Sequence, residues 1–179
     1  MHAKKGLRTV QADAQRVPLA DASFDAAMLI SMLHHVEDQT VVLAEAKRIL
    51  RDRGRLVVML YTREDIDGLW FLDVFPSTRA WMNSTHPRLT DMLAQLPGAR
   101  HRPILFKDLH DASLAALASH PEKVLEEQWR AQTSYFERLQ RDHPDELRGG
   151  LESLRVRLAE GWVPDAPGRG SILSWAKPA

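Results

Sequence analysis

Cysteine is absent from all 179 residues. Its absence excludes a disulfide framework, a thiolate zinc site and a thiol nucleophile, and a reducing cytoplasm suits such a chain. An excess of either charge is missing too, since Lys plus Arg and Asp plus Glu both number 24. No global field then draws the protein to a phosphate backbone or an anionic bilayer, so neither nucleic acid nor membrane is expected as a partner. Long hydrophobic runs are lacking: the stretch from Ala26 to Leu33 is interrupted by Ser31 and falls far short of the roughly 20 residues of a bilayer span. Met1 to Arg8 carries basic residues with no hydrophobic segment behind them, which reads as the tail of a helix rather than a secretory signal. The nine glycines include no Gly-x-Gly turn after an apolar strand near the N-terminus, and Gly168-Arg169-Gly170 stands at the other end, before a strand. The eight histidines show no spacing with carboxylates that would build a three-ligand metal site, so no metal is expected.

What is present is enough for one core. Hydrophobic residues make up 44% of the chain, which predicts a single domain over residues 1–179. Thr9 to Ala12 is a short β-prone run ending at Asp13, followed by a loop to Ser23. Phe24 to Ser31 is almost continuously apolar, the pattern of a strand covered on both faces in a parallel sheet, and Arg55 to Tyr61 repeats it. Between them Asp38 to Asp52 reads as an amphipathic helix, with Val42, Ala46, Ile49 and Leu50 on one face and Gly54 as its stop. Strand, helix and strand in this order form a βαβ unit and predict an α/β fold.

After Tyr61 the pattern changes. Asp67 to Met82 is rich in aromatics and broken by Pro76, where a lid could sit, and Pro87 to Leu96 suits a short helix. Pro103 to Phe106 is a candidate strand. Up to about Gly161 the chain is helical, with one stripe of Leu125, Trp129, Gln132, Phe136 and Leu139 and another of Leu147, Leu151, Leu154 and Leu158. Pro121 and Pro144 fit first-turn positions. Gly149-Gly150 should cost the second helix about 1 kcal/mol per glycine, making it weaker or later to start. Ser171 to Ala176 is a last strand.

Open α/β sheets bind ligands beyond the carboxyl ends of their strands, which directs attention to Asp13 and Ala14, to Ser31 through His35, and to Tyr61 through Arg63. A carboxylate at Asp13 can accept hydrogen bonds from an exocyclic amine or a ribose, or equally cap a turn. His34 and His35 are candidate general bases, but adjacent residues point in different directions and do not form a natural pair. The rings between Trp70 and Trp81 suit either an apolar substrate pocket or plain core packing, the latter about twice as favoured for any one ring.

Four segments carry a resemblance: Gln11-Ala12-Asp13-Ala14, Leu19-Ala20-Asp21-Ala22-Ser23-Phe24-Asp25, Leu33-His34-His35-Val36 and Glu45-Ala46-Lys47-Arg48-Ile49-Leu50. In this order and spacing the chain resembles the second half of the pattern of class I, Rossmann-like S-adenosylmethionine-dependent methyltransferases of the type 11 domain kind. The resemblance implies a mostly parallel Rossmann-like sheet with a helical insertion before the last strand. It further implies S-adenosylmethionine as cofactor and a small-molecule methyl acceptor. Residues 1–66 would be the cofactor-side core, 67–161 the helical substrate side and 162–179 the last strand. Asp13 would accept a hydrogen bond from the adenine amino group, Ala14 would flank the ring, and Ser31 would lie beside the methionine portion. Glu45 and Arg48 match a family pair that reads adequately as helix support. Asp52-Arg53-Gly54 stands where the family has Pro-Gly-Gly.

The family's first two strands and their Gly-rich turn have no counterpart in this sequence. In the family's strand order, 3-2-1-4-5-7-6, those strands separate the Thr9 run from the Phe24 run. Three outcomes are then open: the Thr9 run pairs directly with the Phe24 strand, another chain covers the exposed edge by self-association, or the fold is poor. Two functional readings follow, a methyltransferase and a catalytically silent remnant serving as a binding or oligomerisation module.

Overall fold

The structure is a computed structural model that describes residues 9–179. The helix tail expected at residues 1–8 lies outside the described residues. The sheet has four strands, β1 (Phe24–Ile30), β2 (Leu50–Leu60), β3 (Arg100–Leu105) and β4 (Arg169–Ala176), in the order β1-β2-β4-β3. β1 and β2 run parallel, while β4 is antiparallel to both β2 and β3, so three of the four strands share one direction. The α/β, Rossmann-like character expected from the sequence is present, but the described sheet is mixed rather than mostly parallel, with one parallel and two antiparallel pairings.

The crossover from β1 to β2 passes through a 3₁₀ turn at Leu33–His35 and helix α1 (Gln39–Ile49). Asp38 starts α1, its carboxylate accepting from the amides of Thr40 and Val41, as a short acidic side chain does at a helix N-cap. Val42, Leu43 and Ala46 turn inward against Leu56, Val58, Leu173 and Trp175 on one sheet face, joined by Met92 and Leu96 from around α5 (Leu89–Gln95). Gly54 is not the stop of α1. The helix ends at Ile49, and Gly54 lies in a bulge of β2, where the register jumps between Phe24–Leu50 and Ala26–Arg55. There a Cβ on Gly54 would lie 2.7 Å from the Arg51 carbonyl oxygen.

Two expectations about the sheet are corrected. Thr9 to Ala12 forms no strand; the segment is exposed, and only an isolated bridge between Asp13 and Arg16 follows it. A strand needs a neighbour to satisfy its backbone, and β1 pairs only with β2 among the described residues. Nor is β1 covered on both faces. Ala27 and Leu29 face the core, whereas Met28 and Ile30 are 70% and 50% exposed. Their register neighbours Val57, Met59 and Ile172 continue this open face. The apolar run thus signals strand character without the second covering layer that such runs normally imply.

The remaining helices, α2 (Arg63–Asp67), α3 (Phe71–Val74), α4 (Thr78–Thr85), α6 (Leu114–Ser119), α7 (Pro121–Val124), α8 (Glu127–Arg130), α9 (Ser134–Asp142) and α10 (Pro144–Ala159), build a second core. Phe71, Phe75, Tyr135, Phe136, Leu139, Leu147 and Leu154 lie at its centre. The stripe from Leu125 to Leu139 does not belong to one helix, because the chain breaks twice, between α7, α8 and α9. Pro121 and Pro144 occupy the first turns of α7 and α10.

The glycine pair neither delays nor breaks α10, which runs from Pro144 straight through it. Gly150 is where α10 meets the aromatic core: a Cβ there would lie 2.3 Å from Cε1 of Phe75, while one on Gly149 would meet nothing within 4 Å. The two positions should therefore respond with opposite signs. Gly149→Ala is expected to stabilise by up to about 1 kcal/mol through helix propensity, and Gly150→Ala to destabilise by about 1–2 kcal/mol, because overpacking outweighs the same gain. Urea unfolding of the two variants checks this, and equal shifts would contradict the packing.

Candidate active site

Between the carboxyl ends of β1 and β2 and the helical core lies a cavity of about 470 Å³. Ile30, Ser31 and His34 follow β1, Met59 and Tyr61 close β2, and the opposite wall comes from α4, the segment before α6 and the start of α9. Sheet topology dictates this position, because the strand ends leave a crevice where the crossovers diverge.

Ser31 ends β1 in the left-handed region at φ +48°, which turns the chain sharply away from the sheet. Its amide donates to the Met59 carbonyl at 2.9 Å and its hydroxyl contacts Met59 Sδ at 3.1 Å. The turn continues into Leu33, which is fully buried, so His34 is fixed facing the cavity while His35 is exposed. Burial, then the neighbouring His35 and His86, lower the His34 pKa to about 4.

His86, at the end of α4, was not singled out by the sequence, which offers only a lone histidine after a polar stretch. It is 5% exposed, lines the cavity and stacks on His34 with ring centroids 5.2 Å apart and planes 9° from parallel. Nδ1 lies 2.9 Å from the Met82 carbonyl oxygen and 3.0 Å from Thr85 Oγ1. A carbonyl only accepts, so Nδ1 carries the proton and Nε2 holds a lone pair. Burial lowers the His86 pKa, partly offset by the bond to Met82. Both imidazoles are therefore neutral near pH 7.

The rest of the wall sets Trp81, Met82, Phe106, Leu114 and Tyr135 beside the polar Gln132, Thr133 and Ser134. The aromatic segment divides between the two readings considered: Phe71 and Phe75 are core, Trp70 packs beside them, and Trp81 lines the cavity. Tyr135 donates to Thr78 Oγ1 at 3.0 Å, since the Thr78 proton goes to the Phe75 carbonyl at 2.7 Å. The hydroxyls of Tyr61 and Ser113 are buried beside one another in the wall, and burial raises the Tyr61 pKa. Asp111 is the one carboxylate among the lining residues, and its Oδ1 accepts from the Ser113 amide at 3.0 Å.

Asp13 and Ala14 are not among the cavity-lining residues. Asp13 is exposed in a turn, where Oδ1 accepts from the Gln15 amide at 2.9 Å, and Ala14 packs against the core under the sheet. Glu45 and Arg48 do more than support α1. Glu45 accepts from the Val17 amide at 2.8 Å and pairs with Arg48, which also bonds Asp21, so together they clasp the segment before β1 to the helix.

Comparison with known proteins gives the site its context. The methyltransferase domain family matches residues 1–58. Across 97% of this chain and 75% of the other, the fold superposes with a TM-score of 0.81 and 23% identity on a candidate methyltransferase of antibiotic biosynthesis from Anabaena variabilis. The fold is shared with that protein, and the likeness to the methyltransferase domain family is confined to residues 1–58, about a third of the chain. The chain is 45% identical over 47 residues to the 27-O-demethylrifamycin SV methyltransferase of Amycolatopsis mediterranei, covering 26% of this chain and 17% of that protein. It is 35% identical over 66 residues to the demethylmenaquinone methyltransferase of Thermobifida fusca, covering 37% of this chain and 28% of the other. The matched segments thus span less than a third of either relative. The sequence likeness lies in the β1–α1–β2 region, and the cavity walls beyond β2 lie outside the family match.

Proposed function

We propose that this chain takes part in S-adenosylmethionine-dependent methyl transfer to a small molecule held in the cavity at the ends of β1 and β2. The observation that carries the reading is the position of that cavity: about 470 Å³ of largely apolar space at the strand ends of a methyltransferase fold. The cofactor supplies a methyl group on a sulfonium sulfur. Asp13 fits its adenine end, because one carboxylate oxygen is committed to Gln15 and the other remains to accept from an exocyclic amine. Ala14 would flank the ring. Ser31 fits the methionine end, where its left-handed turn brings a backbone corner and a hydroxyl to the cavity edge. His34 contributes a neutral imidazole to the wall, while His35 is exposed and is not among the lining residues.

Isothermal titration with S-adenosylmethionine tests the reading. Saturable binding is expected, weakened on the order of tenfold or more by Asp13→Ala, as for loss of a hydrogen bond to a charged acceptor. No heat at high ligand concentration would favour a second reading, a catalytically silent module that binds through the open sheet face. Exposed Met28 and Ile30 support that alternative. It predicts a concentration-dependent dimer in light scattering that Met28→Lys disperses.

A further inference from the structure

We infer that the molecule bound in this cavity is an aromatic compound without an anionic group, whose reacting hydroxyl donates its hydrogen bond to Nε2 of His86. The inference deepens the reading above and rests on it for the transfer step. The walls exclude other classes first. Neither lysine nor arginine is among the lining residues, so a phosphate or carboxylate would lose its hydration without a counter-charge. Asp111 gives one oxygen to the Ser113 amide and keeps the other, so the walls refuse an anion but leave a partner for an amine. Trp81, Tyr135, Phe106 and Tyr61 offer flat apolar faces, and Met59 and Met82 adapt around them.

Within this apolar space His86 is the fixed acceptor. The Met82 carbonyl holds its tautomer, His34 stacked at 5.2 Å holds its plane, and no hydrogen bond to Nε2 is found among the described residues. His34 has no such anchor on either ring nitrogen among the described hydrogen bonds, so it serves as a positioning neighbour. With S-adenosylmethionine bound to supply the methyl group, the acceptor oxygen would bond to the methyl carbon as the carbon–sulfur bond breaks with its electron pair left on sulfur. His86 Nε2 would take the hydroxyl proton, so that the positive charge lost by sulfur would be held by the imidazole.

Binding of three naphthalene probes to the full chain, without any methyl donor, tests the recognition through fluorescence anisotropy. 2-Naphthol should bind about tenfold tighter than 2-methoxynaphthalene, which cannot donate to Nε2, and 2-naphthoate should bind at least about tenfold more weakly than the naphthol. His86→Asn keeps a donor for the Met82 carbonyl but removes the Nε2 acceptor, and should bring naphthol and its methyl ether to equal affinity. His86→Gln places an acceptor near the lost Nε2 and should retain the preference. Naphthoate binding as well as naphthol, no probe binding, or a preference unchanged in His86→Asn would each overturn the inference. If His86→Asn does not fold, the naphthol-to-ether and naphthol-to-naphthoate ratios of the unaltered chain and the His86→Gln result decide. With the probe ratios as expected, a chain that transfers no label from radioactive S-adenosylmethionine would sink the transfer reading and leave the recognition standing.

Discussion

Asp65→Ala is expected to destabilise the protein by about 3 kcal/mol, one of the largest losses from a single side chain outside the aromatic core. Asp65 is buried, and its Oδ2 accepts from the Thr62 amide at 3.0 Å, the Thr62 hydroxyl at 2.8 Å and the Ser171 hydroxyl at 2.8 Å. With the Ser171 proton committed to Asp65, Ser171 Oγ accepts from His101 Nε2 at 3.0 Å. One carboxylate therefore joins the start of α2 to β4 and, through Ser171, to β3. Removal leaves donors unmet in a site closed to water, which costs more than the net worth of the bonds themselves. Asp65→Asn, which retains one acceptor but turns an amide toward existing donors, should lose about 1–2 kcal/mol. For a chain of this length, 3 kcal/mol lowers the thermal midpoint by about 6–12 °C. Urea unfolding gives the free energies directly, and a loss under about 1 kcal/mol for the alanine variant would show that the three bonds do not hold the sheet to α2.

The second large effect is acid lability centred on the paired imidazoles. The His34 pKa falls from 6.5 to about 4 on folding, chiefly through burial, and burial lowers that of His86 as well. Between about pH 4 and 6.5 the unfolded chain then binds more protons than the folded one, so stability rises with pH across this window. The contribution is fully present above pH 6.5 and is lost as pH falls toward 4. His34 is only half-buried, so solvent screening reduces its share to roughly 1–2 kcal/mol. Urea midpoints at pH 7, 5.5 and 4.5 should decline steeply for the native sequence and less for the His34→Asn, His86→Asn double variant. Parallel declines would place the acid sensitivity elsewhere.

Legibility in the sequence followed the range of the interactions. The βαβ unit was readable because periodicity and the run from Phe24 to Ile30 are local signals, and the first-turn prolines of α7 and α10 were readable for the same reason. The coverage of β1 was not, because an apolar run reports what a strand prefers and not whether a layer exists to cover its second face. Thr9 to Ala12 failed as a strand on similar grounds, since β propensity alone supplies no pairing partner. Gly150 looked like a helix defect until Phe75, 75 residues away in sequence, appeared opposite it. At the site, Ser31 and His34 were found through the rule that strand ends face ligands, and structure brings them to one cavity. His86 gave no such signal, because its value depends on the Met82 carbonyl and on His34, neither of which marks it in one dimension. Asp65 did leave a trace: Thr62-Arg63-Glu64-Asp65 has the spacing of a capping box, and the structure forms both of its bonds.

In the proposed function, cofactor and acceptor meet at the Ser31 end of the cavity. Amide chemical shifts of the isotopically labelled chain, followed while S-adenosylhomocysteine is added, test it most directly. The account predicts saturable shifts clustered at residues 13–14 and 31–34, with smaller ones at Tyr61, and little change on β3 or the far end of α10. Shifts that cluster on those distant elements instead, or no saturable change anywhere, would contradict it.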